Sequence, residues 1–114
     1  MNENNNNWKK IYISLPISNC EDSLAYRTWE AMKYVIEKLD GYFPVYPPDM
    51  LQFVGKKPDV IEEHSYAWYI GEDLKAIGDC DAILMCNGWE NSKGCRIEKN
   101  FAEEMGIEIL FNIM

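Results

Sequence analysis

The stretch GWENSKGCRIE, Gly88 to Glu98, ends a run of small polar residues with an acid placed early in what reads as a helix. Helix geometry shows where that acid points. At about 100° per residue, with Ile97 at zero, Phe101 falls near ~40°, Met105 near ~80°, Glu98 near ~100° and Ala102 near ~140°. Arg96, Lys99, Asn100, Glu103 and Glu104 fall between about 200° and 340°. Glu98 is therefore the one charge within the apolar arc. A carboxylate held there costs several kcal/mol unless it is paired, hydrogen-bonded or protonated, which marks it as a site candidate. The plain alternative is a structural carboxylate bonded to a tyrosine or a backbone amide.

A second acid has a similar setting. Tyr66, Ala67, Ile70, Leu74 and Ile77 make the apolar stripe of an earlier helix, and Asp73 lies at its margin. Two carboxylates in different surroundings can divide acid and base or nucleophile roles between them. Glu62, Glu63 and Glu72 read as first-turn helix charges or solvated surface. Ser92, or equally Asn91, is placed to cap the third helix. A hydroxyl there, beside the amides of Lys93 and Gly94, makes an anion site. Trp68, Trp89, Tyr66 and Tyr69 are able to stack on a base, although packing is the commoner use of aromatics. His64 is either a base or a surface residue at a helix start.

The elements that must position these groups follow from hydrophobic periodicity. Residues 1–9 form an asparagine-rich polar tail, expected to be disordered, and residues 10–114 a single domain. Ile11 to Leu15 is a buried strand halted by Pro16. Glu21 to Leu39 is helical, with Leu24, Thr28, Ala31, Met32, Val35, Ile36 and Leu39 spaced by threes and fours and Asp40-Gly41 at its end. YFPVY is a short second strand, and residues 47–60 form a long loop of the kind that often carries function. A second helix spans about Ile61 to Gly78, AILMC is a third strand, and a third helix spans about Lys93 to Met105. Gly106 caps it, and IEILFNI is the last strand.

The order β-α-β-α-β-α-β with continuous apolar strands specifies an α/β fold, a small doubly wound (flavodoxin/Rossmann-like) parallel sheet of about four strands with helices on both faces. Right-handed crossovers and a reversal after the first pair give the strand order 2-1-3-4. Ligands of such sheets bind beyond the carboxyl ends of the strands, where the order switches. That place lies between the turn after strand 1, with Ser14 and Pro16, and the loop after strand 3, from Asn87 to Ser92. With the helix amide of Gly94 and the aromatic Tyr66 added, Ser92, Gly94, Ser14, Pro16, Asn87, Trp89 and Tyr66 are the expected substrate-binding set.

Bulk properties bound the partners. A formal net charge of −8 argues against a nucleic-acid polymer but leaves room for a single nucleotide. No apolar run approaches the ~20 residues needed to span a membrane. The start MNENNNNWKK lacks a hydrophobic signal core, so a cytoplasmic location is expected. Cys20, Cys80, Cys86 and Cys95 contain no C-x-x-C pair and His64 is the only histidine, so neither a metal nor a disulfide framework is expected. No cofactor is expected either. Aromatics make up 13% of the chain, and in so small a domain they suggest a homodimer or larger homo-oligomer.

Three segments carry a resemblance over nearly the whole chain after the tail: IYISLPIS, YIGEDLKAIGDCDAILM and GWENSKGCRIEKNFAEEMG. They resemble the nucleoside 2-deoxyribosyltransferase-like superfamily, and more closely a branch of small bacterial and phage proteins of that fold. The resemblance implies that Glu98 is a catalytic nucleophile attacking the anomeric carbon of a 2-deoxyribosyl group. Water or a second base then resolves the glycosyl-enzyme. It implies that Asp73 assists protonation of the leaving base. Ser92 stands where transferases of free nucleosides carry an aspartate that binds the sugar hydroxyl, and where some nucleoside monophosphate hydrolases carry a serine that contacts the phosphate. The turn Ser14-Leu15-Pro16-Ile17-Ser18 departs from the glycine-rich turn of many relatives. The expected activity is cleavage or transfer at the N-glycosidic bond of a nucleoside or nucleotide. The alternatives are a nucleotide-sensing module of the same fold without turnover, and an interaction protein in which Glu98 is structural.

Overall fold

The computed structural model describes residues 8–16, 24–45 and 65–112, the side chains of Leu24, Ala25 and Tyr66 apart. The polar tail up to residue 7, the loop at 47–60, Cys20 and His64 lie outside the described residues. Four strands and three helices alternate within them: β1 (Lys9–Ser14), α1 (Leu24–Lys38), β2 (Tyr42–Val45), α2 (Tyr66–Gly78), β3 (Ala82–Met85), α3 (Lys93–Glu104) and β4 (Glu108–Phe111). A short 3-10 turn, Trp89–Asn91, precedes α3.

The strands form one parallel sheet in the order β2-β1-β3-β4, as the crossover argument requires. Ile11 pairs with Pro44 on one side and Ala82 on the other, so β1 is central. Pro44 lacks the N–H that a central strand needs, and it sits on the edge strand β2.

Period-two alternation splits the core into two layers. Ile11, Ile13, Ala82, Leu84 and Cys86 pack with Ala31 and Val35 of α1 on one face. Tyr12, Ile83 and Met85 pack with Ile77 of α2 and Cys95 and Ala102 of α3 on the other. Each fully buried branched side chain contributes about 1.5–3 kcal/mol.

The helices follow the expected periods with some rotation. In α1 the buried line is Thr28, Ala31 and Val35, while Ile36 is 66% exposed, a correction to its place in the apolar stripe. Ile36 lies a further 100° round from Val35, beyond the arc that a flat sheet covers. In α2 Ala67 is exposed, whereas Asp73, expected at the margin, is buried. In α3 Met105 is 57% exposed, and Cys95, Glu98 and Ala102 form the buried line. The buried line thus runs through the Glu98 and Ala102 side of the expected arc, and Met105 falls outside it. Gly41 and Gly106, with φ of 86° and 73°, supply the left-handed turns that end α1 and α3. Ser92 takes the cap of α3, and Asn91 belongs to the 3-10 turn instead.

Cys80, Cys86 and Cys95 are buried and reduced, which agrees with thiols used as small apolar groups. Burial pushes the Cys86 thiol up to about 12; neighbouring Cys95 and Glu98 add to this and Arg27 opposes it. Burial pushes Cys80 up to about 11, against the pull of Lys10 and with help from Asp81 and Asp79. The ordinary thiol value is 9.0, so above it the unfolded chain releases protons that the folded chain retains. Stability contributed by these thiols is full below pH 9 and is lost as pH rises towards 11 and 12. The denaturation midpoint in urea should fall between about pH 8 and about pH 10.5. Cys86→Ala should make that fall shallower, and an unchanged slope would count against the assignment.

Candidate active site

Alternation along β1 turns Tyr12 and Ser14 to the same face, towards α2 and α3. The sequence places apolar residues at the intervening positions, Ile11 and Ile13, and so reserves two hydroxyls for this side. Ser14 is the last residue of β1 and lies at the carboxyl edge of the sheet.

Glu98 is brought to the same edge from the other direction. The loop after β3 turns through Gly88, whose φ of 89° only glycine adopts without strain, and then through the 3-10 turn. Ser92 ends the turn and caps α3, its Oγ accepting from the Cys95 amide at 3.3 Å. Glu98 follows about two turns into the helix on its buried side and is only 5% exposed.

Its carboxylate meets both hydroxyls. The Ser14 hydroxyl donates to Oε1 at 2.7 Å, and the Tyr12 hydroxyl to Oε2 at 3.2 Å. Each hydrogen bond to an ionised group is worth roughly 1.5–3 kcal/mol, and together they offset much of the cost of burial. Donors aimed at the oxygens favour the charged form, while burial opposes it. The result is a fixed, hydrogen-bonded carboxylate at the strand-order switch.

Cys95 lies one turn before Glu98 and is 2% exposed. Its thiol is pushed up by burial, and the Ser14 and Ser92 side chains pull the other way. Asp73 is 4% exposed on α2, which packs against α3 over the same face of the sheet. Two buried carboxylates thus share one layer on adjacent helices.

The turn after β1 meets the turn after β3. Pro16 is buried, and a Cβ added at Gly88 would stand 3.6 Å from the Pro16 ring. Arg27 of α1 reaches over this edge and donates to the Pro16 carbonyl oxygen. Its charge opposes the rise at the Cys86 and Cys95 thiols.

The remaining expected site residues fall at or around this edge. Gly94 is half-buried in the first turn of α3, and Asn87 is exposed in the loop after β3. Trp89 has its ring centroid 5.8 Å from that of Phe111 and the Lys99 ammonium 5.4 Å above it, so it packs at the β4 side. Tyr66 opens α2, and its side chain lies outside the described part. Among the described residues no group of three or more His, Cys, Asp or Glu forms a metal cluster, and no helix is long and apolar enough to cross a membrane.

Sequence reasoning passed over Tyr12, Cys95 and Arg27. The first two had a signal. Tyr12 shares the period-two register of Ser14, and Cys95 shares the helical face of Glu98. Arg27 had none, because the end of a long side chain is not fixed by helix phase.

No curated protein matches the chain. Among solved structures the fold is similar to the 2-desoxiribosyltransferase from Leishmania mexicana, with a TM-score of 0.62 and 20% identity. The similarity covers 90% of this chain and 63% of that one, so this chain is matched to less than two thirds of its neighbour's length. At that identity the likeness is one of fold, and it bears out the nucleoside 2-deoxyribosyltransferase-like architecture that the three sequence segments implied. With residues 9–111 matched, the chain belongs to the family described as Domain of unknown function (DUF4406).

Proposed function

We propose that this protein breaks the N-glycosidic bond of a 2-deoxynucleoside 5′-monophosphate or its nucleoside, with Glu98 as the nucleophile. The observation that carries the reading is the Glu98 carboxylate itself. It is buried at the ligand edge of a doubly wound sheet, with Tyr12 and Ser14 bonded to its two oxygens. A purely structural acid would gain as much from a backbone amide in any layer of the core. This one stands at the edge where substrates of such sheets bind, and a second buried acid lies on the adjacent helix.

In the first step a Glu98 oxygen forms a bond to the anomeric carbon as the bond from that carbon to the base nitrogen breaks. The electron pair leaves with the base, and Asp73 in its acid form supplies the proton. In the second step water, or another base, displaces Glu98 from the anomeric carbon and gives its proton to Asp73. Two inversions give retention. Tyr12 and Ser14 stabilise the carboxylate as it departs, since donors fixed in place favour developing charge. Ser92 and the first amides of α3 hold the 5′ end of the sugar, where the helix N-terminus favours a phosphate.

Incubation with each common deoxynucleotide and nucleoside, followed by chromatography of the free base, tests this. Wild-type protein should release base, and Glu98→Ala should lower the rate by at least ~10³-fold, the order expected on losing a nucleophile. Release at an unchanged rate by Glu98→Ala would rule out the assignment. If wild-type protein released nothing yet its melting temperature rose with a nucleotide, the sensing reading would replace it.

Ser92 provides a second test. Ser92→Asp keeps a good helix cap but places a negative charge where the phosphate is proposed to sit. It should raise KM for monophosphates by about tenfold or more, equivalent to ~1.4 kcal/mol, and change KM for nucleosides little. Equal effects on both substrates would contradict the phosphate assignment.

A further inference from the structure

Helix α1 carries a second apolar stripe besides the one buried against the sheet. Tyr26, Trp29 and Ile36 are 49%, 55% and 66% exposed. With the exposed Lys33 they fall at spacings of three, four and three, within about 80° of arc on the side away from Ala31 and Val35. The row is continuous where rings are present. The Tyr26 and Trp29 ring centroids lie 6.3 Å apart, and the Lys33 ammonium stands 5.2 Å from that of Trp29. Single exposed apolar residues are ordinary, but this row repeats the a and d positions of a helix-pairing seam. It is about 15 Å long.

We propose that this stripe is a contact between two copies of the chain, made by antiparallel α1 helices about a two-fold axis at the level of Ala31. The lysine selects both occupant and direction. In a parallel pair each seam residue meets itself, so Lys33 would face the partner's Lys33 and repel it. In the antiparallel pair Lys33 lies level with the partner's Trp29, and Tyr26 with the partner's Ile36. Lys33 is then one residue from the level of the partner's Glu30, so each ammonium meets both a ring and a carboxylate. Glu37 falls beside the partner's Tyr26, whose hydroxyl is a donor. The stripe thus matches itself, as an isologous contact requires. Glu30 and Glu37 border the row and the chain carries a net charge of −8, so an anionic membrane surface or a nucleic acid is repelled.

The size of the patch sets the strength. The three apolar side chains leave roughly 300 Å² uncovered on each copy. With the stems of Lys33, Glu30 and Glu37 the pair buries on the order of 800–1,000 Å² in total. That is below the ~1,200 Å² of a standard stable interface, so the dimer exchanges with monomer at a dissociation constant of about 10–100 μM. The contact is independent of the glycosidic reading of Glu98. Helix α1 covers the opposite face of the sheet from α2 and α3, so pairing through it leaves the helices around Glu98 untouched.

Analytical ultracentrifugation of the whole chain from about 1 to about 500 μM tests this. The weight-average mass of wild type should rise from one chain towards two. Lys33→Glu and Glu30→Lys should each stay monomeric, their dissociation constants raised at least about tenfold, because each variant gathers four like charges around the axis. Mixed in equal amounts, the two variants should regain a dimer, since each carries the charge that the other lost. Recovery on mixing is a result that misfolded variants cannot give. Trp29→Ala, which opens the seam without a change of charge, should also weaken the dimer. Wild-type protein that stays monomeric at the highest concentration would overturn the proposal, as would a dimer that none of the three substitutions weakens. Charge variants that remain monomeric when mixed would overturn the antiparallel pairing.

Discussion

The buried carboxylate of Glu98 is the constraint on which the arrangement depends. An ionised group at that depth is tolerated only with donors fixed around it. Those donors come from residues 84 and 86 positions earlier in the chain. The hydrogen bonds from Tyr12 and Ser14 therefore tie the first strand to the last helix, and they are satisfied only when the sheet has formed with β1 at its centre. Folding and assembly of the site are the same event.

The topology explains why the donors fall where they do. In the order β2-β1-β3-β4 the chain leaves β1 and β3 on opposite sides of the switch, so their following turns diverge and then face each other. Pro16 and Gly88 lie across that gap, with room for about one methyl group between them. The end of β1 supplies two donors to Glu98, and α3 carries it. A site built on such elements is more precise than one built on loops, and the proposed attack on one carbon requires that precision.

Most of the scaffold was legible from the sequence because its signals are local. Apolar runs, helical spacing and glycines at helix ends mark the elements, and the crossover rule turns them into a sheet order. The side of α3 that faces inward was harder. Arithmetic on apolar residues gave a broad arc from Ile97 to Ala102 that included Met105, whereas the small residues Cys95 and Ala102 lie on the buried line with Glu98 between them. Small side chains permit close approach but register weakly on any hydrophobic scale. Asp73 was underrated for a related reason, since a polar residue beside a stripe looks solvated until the neighbouring helix is in place. The partners of Glu98 were out of reach of local pattern, because pairing Tyr12 with residue 98 needs the register of three elements at once.

The central claim is that Glu98 becomes covalently attached to the sugar, and trapping that bond tests it most directly. A nucleoside or nucleotide bearing fluorine at the 2′ carbon slows both steps by destabilising positive charge at the anomeric carbon, so the intermediate outlives the assay. Intact-mass spectrometry of protein incubated with such a compound should show the mass of one fluorinated sugar added. Peptide mapping should place it on Glu98, and Glu98→Gln should show none. An unmodified protein that nevertheless releases base, or an adduct on any other residue, would contradict the account.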